Sequence, residues 1–328
     1  MQSQNIQDKQ NTAVVLLNMG GPNSLFEVKT FLQNMFADPY ILPIKNNFLR
    51  SIVGSFIVYK RLEEAQSNYQ KIGGKSPLVG HTFQLCAMLQ TMESQMYFTY
   101  AMRYTPPFAD IVAQDLKERN IQKVVLFSMY PHFSYTTTTS SMKDILRAFK
   151  ANKFAPKIMQ VERYYKNRAY NLAIVERIKE ALGGEDCRDF HLIFSAHSLP
   201  QRNISNGDPY QKEILENVEI LKSLFKEFGL EFASIKVAYQ SKIGPIKWLE
   251  PNLQDILPYY QNKKMLIYPI SFTIDNSETD FELSYQYKLE AQKYKIQDYR
   301  VAKCPNSAQD FATCILELIQ NAKPLKNE

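Results

Sequence analysis

Eight short apolar runs, rich in β-branched residues and separated by longer stretches of helical periodicity, constrain this chain more than any other feature. The first half carries AVVLLN (Ala13–Asn18), YFTYAM (Tyr97–Met102) and KVVLFSM (Lys123–Met129), with a weaker run at Lys157–Val161. The second half carries FHLIFSA (Phe190–Ala196), IKVAY (Ile235–Tyr239) and MLIYPI (Met265–Ile270), with a weaker run at Tyr299–Ala302. Helical spacing fills Pro107–Arg119, Asn167–Leu182, Pro209–Phe228, Ser277–Lys293 and Ala308–Ala322. Near-continuous apolar strands alternating with helices predict βαβ units and parallel sheets covered on both faces. With about four strands in each half, the expected fold class is α/β in two domains. The boundaries expected are 12–150 and 151–305, joined at the polar link Ala151–Pro156, with a C-terminal helix over 306–323 that packs back on either domain.

Length and composition agree with that outline. A chain of 328 residues suits two compact domains, and 45% apolar residues suffice for a buried core. No stretch reaches the ~20 apolar residues of a membrane span. The N-terminal MQSQNIQDKQN lacks the apolar segment of a signal peptide, so a soluble, cytoplasmic protein is expected. Cys86, Cys187, Cys304 and Cys314 are widely spaced, which argues against a zinc site, an iron–sulfur cluster or a disulfide framework. The net charge of +6 suits an anionic ligand or an acidic lipid surface. No Lys/Arg block is dense enough for a nucleic-acid patch, so no nucleic-acid partner is expected.

Ligands of open parallel sheets bind beyond the carboxyl ends of the strands, so the strand ends are where chemistry is to be sought. NMGGP (Asn18–Pro22) lacks the spacing of a dinucleotide or phosphate loop and reads as a tight βα turn. FSAHSLP (Phe194–Pro200) places His197 at a strand end, where a neutral imidazole can accept a proton or bind a metal. An isolated histidine there is more often structural. His132 lies at a similar strand end, but Tyr135–Ser141 behind it reads as a hydroxyl-rich turn and helix cap. In DNSETDFELSYQY (Asp275–Tyr287), Ser277 or Asp275 is the expected N-cap. Glu278 and Glu282, four apart, share a helix face with Tyr285 nearby, although acidic residues in a first turn are also expected from the helix dipole alone.

Taken in order, LNMGGP, YQKIGGKSPL (Tyr69–Leu78), FSAHSLP followed by GDPY (Gly207–Tyr210), YQSKIGPIKWLEP (Tyr239–Pro251) and the FxxDxxET of Phe272–Thr279 resemble the ferrochelatase family. The resemblance runs from about Ala13 to the end of the second sheet. It implies two similar Rossmann-like domains, each a four-stranded parallel sheet flanked by helices, with an active-site cleft between them. The implied activity is insertion of ferrous iron into a porphyrin, with protoporphyrin IX favoured over coproporphyrin and haem as product. Iron is then a substrate and no cofactor is required.

Carried over by motif, the resemblance makes His197 the active-site histidine and Glu278 its partner carboxylate, either as proton acceptors or as ligands of the incoming iron, with Glu282 as a relay. Met19, Ser76, Arg103, Tyr104, Trp248 and Phe272 match positions that line the porphyrin site, and Arg103, Lys60 or Arg61 would meet its propionates. Asp38–Arg61 looks like the family's apolar lip, a route to peripheral membrane contact at the inner face, or else simply an amphipathic core helix. A monomer is expected. The sequence departs from the family's DHIET at the second histidine, where Asn276 stands, with Ser277 in place of Ile. Asparagine can hydrogen-bond but cannot titrate. A cobalt- or nickel-type tetrapyrrole chelatase and a non-catalytic porphyrin or haem carrier are the rival readings.

Overall fold

A computed structural model describes residues 9–242 and 244–325. The N-terminal residues before Lys9, and Ile243 of the YQSKIGP motif, lie outside the described residues. The chain divides into two compact units. One comprises residues 9–130, 134–162 and 307–325, the other 131–133 and 163–306.

The first unit is built on β1 (Thr12–Asn18), β2 (Tyr97–Met102), β3 (Lys123–Ser128) and β4 (Lys157–Val161), parallel in the order β2-β1-β3-β4. The chain division therefore falls after β4, beyond the expected boundary at 150, because β4 pairs in register with β3 from Lys123↔Lys157 to Phe127↔Val161. Every β1 residue is buried. Its odd positions Ala13, Val15 and Leu17 pack with Val124 and Leu126 under the helices Ala109–Glu118 and Ser140–Ala151. The C-terminal helix Gln309–Gln320 returns to this unit against the helix Leu78–Met92 and β4. There, a two-residue strand, Lys323–Pro324, pairs antiparallel with β4 and adds a fifth strand to the four expected.

The second unit repeats that order. β5 (Phe190–His197), β6 (Ser234–Gln240), β7 (Lys264–Tyr268) and β8 (Asp298–Val301) run parallel as β6-β5-β7-β8. β5 is central, and the order reverses between β5 and β7, the switch at which open α/β sheets bind ligands. Side chains alternate along the strand. Phe194 stacks on Phe225 of the helix Tyr210–Glu227, on one face. Ile193 packs on the other face with Ala238, Met265, Ile267, Leu283 and Tyr287. Ser195 and His197 share the parity of Ile193, so the strand period itself delivers His197 to the face covered by residues 278–293.

The segment expected as one helix over Ser277–Lys293 changes pitch. Glu278–Gln286 forms wide π-helical turns, with Tyr287 N–H bonded to Glu282 C=O, before an α-helix over Tyr287–Lys293. Wide turns also open the helix after β3, at Tyr135–Thr139, where Ser134 Oγ accepts from Thr136 N–H as the expected hydroxyl cap.

Candidate active site

His197 ends β5 with its main chain anchored on both sides. Its N–H donates to Ser271 Oγ at 2.9 Å, and its C=O accepts from the Tyr210 hydroxyl, also at 2.9 Å. Tyr210 is held in turn by Asp208, which accepts from the Tyr210 N–H at 3.0 Å, so the GDPY motif is the brace behind the histidine. The Phe272 ring meets the imidazole edge-to-face at 6.5 Å, and about a third of the His197 side chain (36%) is exposed.

Glu278 Oε2 lies 2.8 Å from His197 Nδ1. The same oxygen accepts from Ser241 Oγ at 2.8 Å and Gln240 Nε2 at 3.2 Å. Gln240 is fixed by the Ser195 hydroxyl donating to its Oε1 at 2.5 Å, so a row of polar side chains from β5 and β6 orders the carboxylate. Among the described residues no donor meets Glu278 Oε1 and no partner meets His197 Nε2. With Nδ1 on a carboxylate, the neutral imidazole carries its proton there and offers an Nε2 lone pair outward.

The electrostatics follow from this packing. Burial opposes a charge on His197, but the adjacent Glu278 charge and hydrogen bond, with Glu282 behind, outweigh it and hold the imidazole above its ordinary value. Burial likewise opposes the Glu278 charge, and His197, Ser241 and Gln240 together hold it below the usual carboxylate range. Glu282 is pushed up to about 7 by burial and then by the Glu278 charge. Its carboxyl accepts from Ser241 N–H at 2.9 Å and closely contacts the Ser241 hydroxyl. Because one hydroxyl has one proton, its close contacts with both carboxyls are satisfied together when Glu282 carries a proton of its own.

Asn276 does not stand in for an imidazole facing this group. It is 4% exposed, its Oδ1 accepts from the Glu278 N–H at 2.8 Å, and its Nδ2 donates to Ile274 C=O at 3.2 Å. The cap expected from Ser277 or Asp275 is therefore made by Asn276. Ser277 makes no side-chain cap, and Asp275 is spent on the segment 303–306, accepting from Cys304 N–H and Asn306 Nδ2.

The remaining expected residues divide between the units. In the second unit, Phe272 lies beside His197, and Trp248 is half-buried in a bridge to Pro200, just past the end of β5. In the first unit, Arg103 donates to Ser140 Oγ at 3.0 Å and pairs with Asp38 at 3.1 Å and Asp144 at 3.8 Å. Tyr104 is 3% exposed with its hydroxyl on Asp38, so it is a core residue of this unit and not an exposed one. Met19 is half-buried against the same apolar cluster. Ser76 is buried, its N–H on Pro22 C=O, and a Cβ on Gly21 would come within 2.5 Å of it. With Gly20 at φ +83°, that close approach accounts for the glycines of NMGGP as a turn. His132 is buried against Asn217 at 3.0 Å and pushed down to about 3 by burial, as suits a structural histidine.

Sequence reasoning missed Gln240, Ser241, Ser195, Ser271 and Asp38. Gln240 lies opposite His197 in the β5–β6 register, a relation that only the strand order reveals. Among the described residues no group of three or more His, Cys, Asp or Glu side chains could hold a metal ion.

A family model described as Ferrochelatase matches residues 11–323. The ferrochelatase of Wolinella succinogenes is 51% identical over 311 residues, covering 95% of this chain and 98% of that protein. That of Nitratiruptor sp. is 49% identical over 308 residues, covering 94% and 99%. That of Helicobacter pylori (strain J99) is 47% identical over 312 residues, covering 95% and 93%. Among solved structures, the sirohydrochlorin chelatase SirB from Bacillus subtilis in complex with cobalt matches with a TM-score of 0.53 and 8% identity, over 94% of each chain. CbiX, the terminal enzyme for siroheme biosynthesis in denitrifying bacteria, matches with a TM-score of 0.52 and 11% identity, over 94% and 98%. At such identities the structural likeness shows the two-domain chelatase fold alone.

Proposed function

This chain belongs to the ferrochelatase family, lyases that insert metal into a porphyrin for haem synthesis, and we propose that its own substrates are ferrous iron and protoporphyrin IX, with His197 as the pyrrole proton acceptor. The observation that carries this reading is the 2.8 Å pair of His197 Nδ1 with Glu278, which leaves Nε2 without a partner among the described residues.

Insertion exchanges two pyrrole N–H protons for one Fe²⁺, so a base must meet the ring nitrogens while the ion sheds water. His197 Nε2 takes one pyrrole proton, the imidazolium so formed being stabilised by Glu278 through Nδ1–H, and releases it to solvent before taking the second. Glu278 Oε1 is free to meet the ion or a water on it. Glu282 then receives or releases protons at near-neutral pH. Phe272 beside His197 would press on a ring distorted so that its nitrogen lone pairs are exposed. Arg103 is already matched by Asp38 and Asp144. Lys60 and Arg61 have no carboxylate partner among the described residues and are the better matches for the propionates.

No helix among the described residues is long and apolar enough to cross a membrane. The helix Asn47–Lys71 nevertheless exposes Phe48, Leu49, Ile52, Phe56 and Tyr59. This face supports the reading of peripheral contact with an anionic membrane surface. Replacing Phe48 and Phe56 with Ser should reduce co-sedimentation with anionic vesicles and leave insertion into a water-soluble porphyrin unchanged.

The function is tested by anaerobic insertion assays with Fe²⁺, Co²⁺ and Zn²⁺, on protoporphyrin and coproporphyrin in parallel. The expected result is fastest turnover with Fe²⁺ and protoporphyrin, and loss of insertion in His197→Ala with porphyrin affinity retained. Near-wild-type insertion by His197→Ala would overturn the role of His197. Faster turnover with Co²⁺ would favour the cobalt-type chelatase, and binding without turnover the carrier.

A further inference from the structure

Ser241 touches both carboxyls of the site and belongs to neither the strand nor the helix that carries them. It follows β6 directly, at φ +67°, a left-handed conformation that side chains other than glycine rarely adopt. That turn directs its N–H to Glu282 Oε1 at 2.9 Å and sets its hydroxyl on Glu278 Oε2 at 2.8 Å and on Glu282 Oε2. Glycine would adopt the same turn without strain, and the hydroxyl is what glycine lacks. The contacts also join elements far apart in the sequence. Gln240 and Ser241 come from the end of β6, and Glu278 and Glu282 from the wide-pitched turns after β7. Wide π-helical turns are less regular than an α-helix, so the two carboxyls depend on partners outside their own segment for a fixed direction.

We propose that Ser241 is a positioning residue for metal insertion: it ties Glu278 and Glu282 to the end of β6, so that Glu278 keeps Oε2 on His197 and Oε1 free for the substrate. The proposal rests on the His197–Glu278 reading above. Ser241 itself meets neither porphyrin nor metal, and acts through the carboxyls.

Two variants separate the hydroxyl from the backbone. Ser241→Gly keeps the left-handed turn and the N–H to Glu282, and Ser241→Ala keeps a Cβ in that turn. Each is assayed anaerobically with Fe²⁺ and porphyrin, together with Glu282→Gln, the double variant Ser241→Gly/Glu282→Gln, and His197→Ala. The expected result for Ser241→Gly is a kcat lowered about tenfold or more, with porphyrin KM and melting temperature unchanged. The double variant should lose little more than the worse single variant, because the two groups act as one unit. Wild-type kcat in both Ser241 variants would overturn the proposal. So would a joint loss of melting temperature and porphyrin affinity in Ser241→Gly, which would show a folding role. Full activity in His197→Ala alongside an impaired Ser241→Gly would instead overturn the underlying reading of the pair.

Discussion

Replacing Asn276 with Ala should weaken both the second unit and its chemistry. The side chain is 4% exposed and makes two hydrogen bonds, from Glu278 N–H at 2.8 Å and to Ile274 C=O at 3.2 Å. Around it, Thr279 Oγ accepts from Asn276 N–H at 2.9 Å, closing a reciprocal cap at the start of the wide turns. Loss of a cap costs about 1 kcal/mol. A buried backbone group left unpaired costs roughly 1–3 kcal/mol more, which places the total at about 2–4 kcal/mol. For a unit of this size that is a fall of about 2–4 °C in unfolding temperature per kcal/mol. Scanning calorimetry on the full chain resolves this, since two units need not melt together. Steady-state insertion kinetics should show a lower kcat, because the Glu278 backbone is released. Asn276→His tests the opposite idea. The larger ring must enter a buried site and find a partner for its second nitrogen, at about 1–3 kcal/mol, with no gain in kcat. A rise in kcat for Asn276→His, or an unchanged melt and rate for Asn276→Ala, would refute this reasoning.

Both the base and the ligand roles of His197 need a neutral imidazole, so kcat/KM should rise with pH through a limb above the ordinary histidine value, where the Glu278 charge holds it. In Glu278→Gln the counter-charge is gone and burial acts with less opposition, so the residual activity should show that limb at lower pH; an unmoved limb would show that it does not belong to this pair. In the first unit, Asp38 has a fully buried carboxylate that serves Tyr104, Ser140 and Arg103, so Asp38→Ala should destabilise by about 3–5 kcal/mol in a calorimetric melt. A loss below ~1 kcal/mol would mean that the network contributes specificity rather than stability.

What the sequence made legible follows from what periodicity can carry. Continuous apolar runs with turn residues behind them located the eight parallel strands found among the described residues, because burial on both faces leaves few other solutions. The position of His197 at a strand end was equally plain. The pitch of 278–286 was not, since an apolar pattern over so short a stretch does not separate turns closed i→i+4 from those closed i→i+5. Asn276 read as an absent imidazole because the motif drew attention to titration, although a polar residue two before a helix start is ordinary capping chemistry. Gln240 and Ser241 lie in the YQSKIGP motif but drew no role, since their relation to His197 depends on which strands are neighbours. Lys323–Pro324 is too short a strand to register, and β4, the edge it covers, was the weakest run of its sheet.

The wide turns at Glu278–Gln286 also fix how this segment can vary in length. Each turn holds one residue more than an α-helical turn would, so deleting a single residue between Glu278 and Glu282 would let the segment relax to the ordinary pitch. A single residue added there would find that slack already used, and would swing every later side chain by about 100° around the axis. Leu283 and Tyr287, which anchor the segment in the core, would resist that rotation, while Glu282 would be carried away from Ser241. Outside Glu278 and Glu282, variation here should be written in residue identity or in a lost residue, and not in a gained one.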